Sequence, residues 1–305
     1  MTIVPPEPGE PRRPLGPLDP GDAWVVADSG EKYWGRFGAS GVLAVDAERG
    51  VLLQHRVGWS HFGGTWGIPG GARHQGESAL DGALRESREE AGIPAGALRP
   101  RFANVLDLSI WTYTTVVADV VEPFEPVISD PESVALEWVP VSEVAQRELH
   151  PGFANSWAKL SALLEVRPAI VVDAANVVGS VPDGWWKDRA GAAERLHARV
   201  SAWAAEGVAA SALGLLADRW YPSVSFVVEG QAREMAEGDG EVTVVRASGS
   251  GDDAIVAEAA RLAGSGMSVT VVTSDRGLRE RVEAIGGRVE SAGWLLDQLP
   301  DSSGS

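Results

Sequence analysis

The sequence predicts two α/β domains in tandem, and three observations carry that expectation. The chain has 305 residues, room for about two domains of ~100–200 residues each. Its front half opens on paired strand-like runs and one heavily charged helix. Its back half alternates continuous apolar strands with helices, which argues for a mainly parallel sheet covered on both faces.

Composition narrows the chemistry. Hydrophobic residues make up 44% and charged residues 23%, ordinary for a globular protein. Cysteine is absent, which excludes thiol nucleophiles, Cys-ligated zinc, iron–sulfur clusters and disulfide staples. The 26 Lys+Arg against 43 Asp+Glu give −17, an excess that argues against a strong autonomous nucleic-acid binder. Such acidity suits a phosphate partner only where a divalent cation bridges the two.

The elements follow in order. Residues 1–21 are Pro-rich without an apolar core, so a disordered tail is expected there rather than a signal peptide, and 301–305 read as a flexible tail. No segment approaches the ~20 apolar residues of a membrane helix, so a cytoplasmic protein with no membrane partner is expected. Gly41–Val45 and Val51–His55 read as strands joined by a turn over Asp46–Gly50. A Gly-rich stretch, Gly63–Gly71, leads into a helix from Ser78 to Ala91 with an apolar stripe of Ala79, Ala83, Leu84 and Ala91. Trp111–Val121 and Ala135–Val139 are strand-like, and Val141–Gln146 and Trp157–Leu164 helical. Beyond a junction at Glu165–Pro168, strands are expected at Ala169–Val172, Val224–Glu229, Val242–Val245, Val269–Thr273 and Arg288–Ser291. Helices are expected at Ala190–Ala205, Ala254–Ala263 and Leu278–Ile285.

The charged helix carries the chemistry. Glu86, Glu89 and Glu90 stand at i, i+3 and i+4, which puts three carboxylates on one helical face. Like charges so placed weaken a helix unless a cation joins them, and Mg²⁺ or Mn²⁺ takes hard oxygen ligands and binds phosphate oxygens as well. A solvated face with Arg85 and Arg88 pairing locally is the plainer alternative. The flanks weigh against it: Gly71, Glu77, Arg85, Glu86, Glu89, Glu90, Gly92 and Ile93 resemble, in register, the Nudix box Gly-x5-Glu-x7-Arg-Glu-U-x-Glu-Glu-x-Gly-U. Ser87 departs from the bulky aliphatic U, which should loosen packing without moving a charge.

That resemblance implies an α/β/α sandwich with a mixed sheet and hydrolysis of a nucleoside diphosphate linked to another moiety, X. It assigns Glu86, Glu89 and Glu90, with the Gly71 carbonyl, to the metal, Arg85 to orienting the glutamates, and Glu77 to metal binding or helix support. Glu132 stands six residues before Trp138, as a helper glutamate does in the branch that cleans oxidised nucleoside triphosphates. It is the candidate base or extra ligand, or else a plain turn carboxylate. His55, His61 and His74 could reach phosphate, and Trp59 and Trp66 could stack on a base, although surface exposure for the histidines and packing or loop anchoring for the tryptophans are the plainer readings. A proline usual in ADP-ribose-cleaving members is replaced by Leu108 and Ser109, which disfavours that substrate.

In the back half Asp173, Glu229 and Asp275 close strands, and Asp252 and Asp253 open a helix. Ligands of parallel sheets bind beyond the carboxyl ends of strands, so these acids could share one rim. Alternatively, Asp252 and Asp253 simply favour a helix N-terminus and Asp275 a turn. The segments VDAANVVGS, GSGDDAIV and VVTSDRGLR resemble the NYN domain, a PIN-like, Rossmann-like nuclease fold. By that resemblance Asp173, Asp252 or Asp253, and Asp275 would bind Mg²⁺ or Mn²⁺ for RNA cleavage, with Asn176 nearby. The segment Asp183–Arg189 either adds Asp188 to the rim or clamps its loop with Trp185 and Trp186. Ala174 stands where many members have Gly. The chain thus divides into a tail (1–21), a Nudix domain (22–165), a NYN domain (168–300) and a tail (301–305). The expected function is a metal-dependent Nudix pyrophosphohydrolase acting on a nucleotide, a nucleoside triphosphate among the candidates. The alternative is an RNase working through the NYN domain, with the Nudix domain recognising a nucleotide or RNA end.

Overall fold

The computed structural model describes residues 1–5, 19–182, 184–236 and 241–300. It divides into one unit of Met1–Leu164 with Leu216–Arg219, and another of Glu165–Leu215 with Trp220–Ser305.

The first unit begins with a departure from expectation. Thr2–Val4 is not a loose tail but a strand, β1, antiparallel to β2 (Trp24–Val26), which pairs in turn with β3 (Lys32–Trp34). The β-branched Thr-Ile-Val run favours extended backbone, and its partner strand buries Val25 at 1% exposure. The rest of the Pro-rich stretch, 6–18, lies outside the described residues, as do 301–305.

β4 (Ala39–Asp46) and β5 (Gly50–Arg56) form the hairpin, with Val45 opposite Val51. Asp46 makes the turn by accepting the Glu48 and Arg49 N–H groups, each at 3.0 Å. Gly50 completes it at φ +93°, a conformation that penalises a side chain. Short β6 (Trp66–Gly67) and β7 (Gly70–Ala72) lead into α1 (Ala79–Ala91). β8 (Leu98–Asp107), β9 (Thr112–Val120) and β10 (Ser133–Val139) follow, then a 3₁₀ turn over Val141–Gln146 and α2 (Pro151–Leu163). The sheet runs β10-β5-β4-β9-β8, antiparallel except for the parallel β4–β9 pair, and is therefore mixed. Val42, Ala44, Leu52, Val116 and Ala118 pack with Ala83 and Ala91 of α1. Leu43, Leu53 and Val117, of opposite parity, are just as buried, so both faces are covered.

β8 escaped sequence reading because Leu98–Arg101 looks like a loop. Pro100 offers no N–H, and the ladder with β9 shifts register between Pro100 and Phe102. Arg101, 3% exposed, is held by Asp119 at 3.0 Å and the Leu164 carbonyl at 2.6 Å.

His150 caps α2, its Nδ1 accepting the Gly152 N–H at 3.1 Å. Burial first, then the charges of Arg56 and His61, hold the ring down at about 4, against 6.5 when free. Between those values the unfolded chain binds the proton better. The stability is therefore complete above 6.5 and lost as pH falls towards 4. His150→Asn keeps a capping acceptor without titrating. Its urea midpoint is expected to decline less than wild type between neutral pH and the acid limb, a difference on the order of 1–2 kcal/mol for a half-buried ring.

The second unit contains β11 (Pro168–Asp173), α3 (Ala174–Gly179), α4 (Arg189–Glu206) and the short β12 (Val208–Ala209), α5 (Ala210–Leu213) and β13 (Arg219–Trp220). β13 straddles the division between units. Then come β14 (Ser223–Val228), β15 (Val242–Arg246), α6 (Gly251–Gly264), β16 (Ser268–Val272), α7 (Arg276–Ala284), β17 (Arg288–Glu290) and α8 (Ala292–Leu296). Its sheet is ordered β15-β14-β11-β16-β17, and every neighbouring pair is parallel. The central β11 is buried along its whole length, as a strand with helices on both faces must be.

Candidate active site

Ser78 starts α1 by accepting the Asp81 N–H at 3.0 Å, and Gly92 ends it at φ +62°, donating to the Arg88 carbonyl. Those caps phase the helix. Residues four apart stand one above the other, so Glu86 (0% exposed) and Glu90 (4%) both face inward. Glu89, a quarter-turn away, keeps its side chain 45% exposed.

Arg85 gathers the carboxylates. Its Nε and Nη2 donate to the two oxygens of Glu77 at 2.8 and 2.9 Å, and Nη2 reaches the Ala72 carbonyl at 2.9 Å. Its Nη1 donates to Glu86 at 2.8 Å and Glu89 at 3.1 Å. Glu77 also accepts the His74 N–H at 2.9 Å, so its oxygens are occupied by the loop and Arg85, and it serves as a support. The Arg85 hydrogen bonds bring the Glu77 carboxyl down to about 2.

Gly71 is needed for closeness. A Cβ there would lie 2.7 Å from Glu86 Cδ and 2.8 Å from each of its oxygens. Gly71→Ala is expected to push that carboxylate aside and lower kcat by about 10²-fold, with a small change in melting temperature.

Glu90 is the electrostatic centre. It accepts the Gly70 N–H at 2.8 Å and the Gln54 side-chain amide at 3.3 Å, while Gln54 also donates to Ser133 Oγ at 2.8 Å. Burial above all, then the charges of Glu86, Asp130 and Glu132, raises its pKa well above the usual carboxylate range. Glu132 therefore lies in the same field as the helix carboxylates, with its side chain 13% exposed and Arg56 Nη2 at 4.0 Å.

Sequence reading passed over Gln54 and Arg56. The Arg56 side chain is 15% exposed, and its Nε is buried without a hydrogen-bond partner among the described residues. Their signal was available: Gln54 and Arg56 stand at alternate positions, on one face of the strand, just after the apolar run Val51–Leu53.

Among the described residues no group of three His, Asp or Glu side chains stands ready to hold a metal ion, since Arg85 draws Glu77, Glu86 and Glu89 to itself. The donor set still fits a hard divalent cation: it is all oxygen, and the buried Glu86–Glu90 pair carries like charges that only a proton or a cation relieves.

The remaining candidates divide. His55 stacks on Trp66 at 4.6 Å, and Arg147 lies over the Trp66 ring at 4.7 Å, so this tryptophan is anchored in the fold. His61 packs on Phe62 at 4.2 Å, and His74 lies 3.8 Å from Asp19. Trp59 is 47% exposed. Ser87, 1% exposed, turns its hydroxyl to the Leu84 carbonyl of its own helix at 2.9 Å and borders a cleft of about 60 Å³ with Leu84, Ile93 and Leu98. The missing aliphatic side chain thus leaves a small space and displaces no carboxylate.

In the second unit Asp173 ends β11 and caps α3, accepting the Asn176 N–H at 3.1 Å and the Thr273 hydroxyl at 2.9 Å. It is 8% exposed, and burial, with Asp252 and Glu229 adding charge, raises its pKa. Glu229 accepts the Gly251 N–H at 2.9 Å, and Asn176 Oδ1 the Ser274 N–H at 2.9 Å. Asp173, Glu229, Asp252 and Asn176 therefore meet around the carboxyl ends of the strands. The other acids have local duties. Asp253 pairs with Arg281 at 2.7 Å, Asp275 caps α7 through the Leu278 N–H at 2.8 Å, and Asp188 caps α4 through the Gly191 N–H at 2.9 Å.

Residues 35–160 match the model of the NUDIX domain. A Mycobacterium tuberculosis protein named "Putative 8-oxo-dGTP diphosphatase 3" is 52% identical over 150 residues, which cover 46% of this chain and 69% of that one. A Bifidobacterium longum "Nucleoside triphosphate pyrophosphatase/Nudix hydrolase fusion protein" is 43% identical over 154 residues, 48% of this chain and 32% of its own. The crystal structure of a Nudix hydrolase from M. smegmatis, RenU, is 44% identical, covers 47% of this chain and 94% of its own, and superposes with a TM-score of 0.44.

Proposed function

The chain belongs to the Nudix family and is a pyrophosphohydrolase, and from that premise we propose that its first unit cleaves the phosphoanhydride of a nucleoside diphosphate linked to X, with a nucleoside triphosphate as the leading substrate class. Products are a nucleoside monophosphate and pyrophosphate or X-phosphate. The observation that carries this reading is the buried Glu86–Glu90 pair: Arg85 bonds Glu86, while the hydrogen-bond donors to Glu90 among the described residues, the Gly70 N–H and the Gln54 amide, are neutral, which leaves its charge for a cation to balance.

Nudix hydrolases generally use divalent metals. Here Glu86, Glu89, Glu90 and the Gly71 carbonyl are the residues that would hold Mg²⁺ or Mn²⁺. When bound, such an ion supplies an acidified water and neutralises charge on phosphate oxygens. Arg85 positions the carboxylates, and Glu77 positions Arg85. We read Glu132 as the group that accepts a proton or joins the ligand set, and the Arg56 guanidinium, whose Nε has no hydrogen-bond partner among the described residues, as the one that receives a phosphate oxygen. The test is phosphate release from a nucleotide panel that includes 8-oxo-dGTP, with Mg²⁺ or Mn²⁺, on wild type and Glu89→Gln. Undiminished turnover in the variant would sink the assignment.

The Asp173 rim supports a second activity. We read the second unit as a NYN/PIN-like domain that cleaves RNA with Asp173, Glu229 and Asp252 as its acidic set. Cleavage of single-stranded RNA lost in Asp173→Asn and kept in Glu90→Gln supports it. No cleavage by wild type with either metal ion removes it.

A further inference from the structure

Tyr113 lies at the start of β9, and both its placement and its surroundings set it apart from a packing residue. Trp111, itself stacked on Tyr33 at 5.0 Å and 23°, lies 6.0 Å from the Tyr113 ring and steadies it. The hydroxyl reaches across β4 to β7, and two glycines admit it. A Cβ on Gly41 would stand 2.4 Å from the oxygen, and one on Gly70 would stand 3.0 Å away. These glycines face each other closely as well: a Cβ on Gly70 would lie 2.5 Å from the Gly41 Cα. Any larger residue at either position would evict the phenol oxygen.

Gly70 is also the residue whose N–H holds Glu90, at 2.8 Å. Hydroxyl and carboxylate are thus brought to one glycine. The charges that act on the phenol are those of Glu90, Arg56 and Glu86, which places it in the same field as the catalytic helix. A phenol is protonated at neutral pH, and towards an anionic oxygen it acts as a donor. Tyr113 is half-buried, and among the described residues its hydroxyl makes no hydrogen bond, so the donor stays free for an acceptor that a ligand brings.

We propose that the Tyr113 hydroxyl is a substrate-binding donor of the first unit, taking an anionic oxygen of the phosphoanhydride that the Glu86–Glu90 pair faces. This rests on the hydrolase reading above and adds to it. The carboxylates would serve the cation side of the phosphate group, and Tyr113, with Arg56 close by, would serve the anion side. A neutral phenol suits that place because it adds a directed hydrogen bond without a charge that would compete with the cation.

Tyr113→Phe removes the oxygen and keeps the ring, so its melting temperature is expected to match wild type. Two measurements then decide the matter: kcat and KM on the best nucleotide of the panel, and the Kd of inorganic pyrophosphate in the presence of Mg²⁺. The expected result is a loss of about tenfold or more in kcat/KM with a parallel weakening of pyrophosphate binding. Values within twofold of wild type in both measurements overturn the proposal. So does a fall in melting temperature with unchanged binding, since a hydroxyl that only packs would behave that way. A wild type that hydrolyses no nucleotide but binds pyrophosphate through the Tyr113 hydroxyl removes the hydrolase reading and leaves this one standing.

Discussion

Glu90→Gln is expected to abolish most turnover and at the same time to stabilise the metal-free protein. Glu90 is 4% exposed and shares its surroundings with the charges of Glu86, Asp130 and Glu132. A glutamine has nearly the same shape. Its carbonyl can accept the Gly70 N–H, and its amide can donate to Gln54 Oε1, a buried oxygen that has no partner among the described residues. The like-charge repulsion disappears, a gain of about 1 kcal/mol that should raise the melting temperature by about 2–4 °C. The lost negative charge removes stabilisation of cation and phosphate together, so kcat should drop by about 10²- to 10³-fold. Added Mg²⁺ should then raise the melting temperature of wild type more than that of the variant. A variant that is both inactive and less stable than wild type would show that Glu90 is chiefly a structural residue.

The second large effect is expected at Arg85. Its side chain is 14% exposed and bonded to Glu77, Glu86, Glu89 and the Ala72 carbonyl. Arg85→Ala leaves the buried Glu86 without its guanidinium and Glu77 with only backbone donors, a loss of about 3–5 kcal/mol in urea unfolding. Arg85→Lys restores the charge but not the fork, because one ammonium cannot reach acceptors on opposite sides, and should recover less than half of that loss. Both variants should be slower than wild type by about 10²-fold, since the carboxylates lose their register. Acid titration provides a separate check. Glu77 is held at about 2 against 4.5 when free, so its contribution is complete above 4.5 and lost as pH falls towards 2. In Arg85→Ala that part of the acid limb should flatten.

The helix and its chemistry were legible because they are local. Ser78 and Gly92 are capping residues at the two ends of one apolar stripe, and spacing alone puts Glu86, Glu89 and Glu90 on one side. The parallel strands of the second unit were legible for the same reason, as uninterrupted apolar runs. Thr2–Val4 was not, since its pairing partners stand twenty or more residues along the chain, and β8 was not, since Pro100 and the register shift beside it break the strand pattern. Asp253 and Asp275 illustrate the same limit. Their positions at helix starts were visible, but the arrival of Arg281 and the capped N–H of Leu278 determined what each carboxylate does.

Taken alone, the sequence determined the carboxylate-bearing helix, its caps, the family resemblance of its charges and the alternation behind each sheet. Tertiary structure decided which carboxylates are buried, that Glu77 is occupied by Arg85, and that Gln54, Glu132 and Tyr113 are brought around Glu90 from two strands and a loop. The physical reason is range. Helical phase and capping depend on neighbours within a turn or two, whereas burial and charge are set by side chains dozens of residues away, and burial is what puts Glu86 and Glu90 in each other's field.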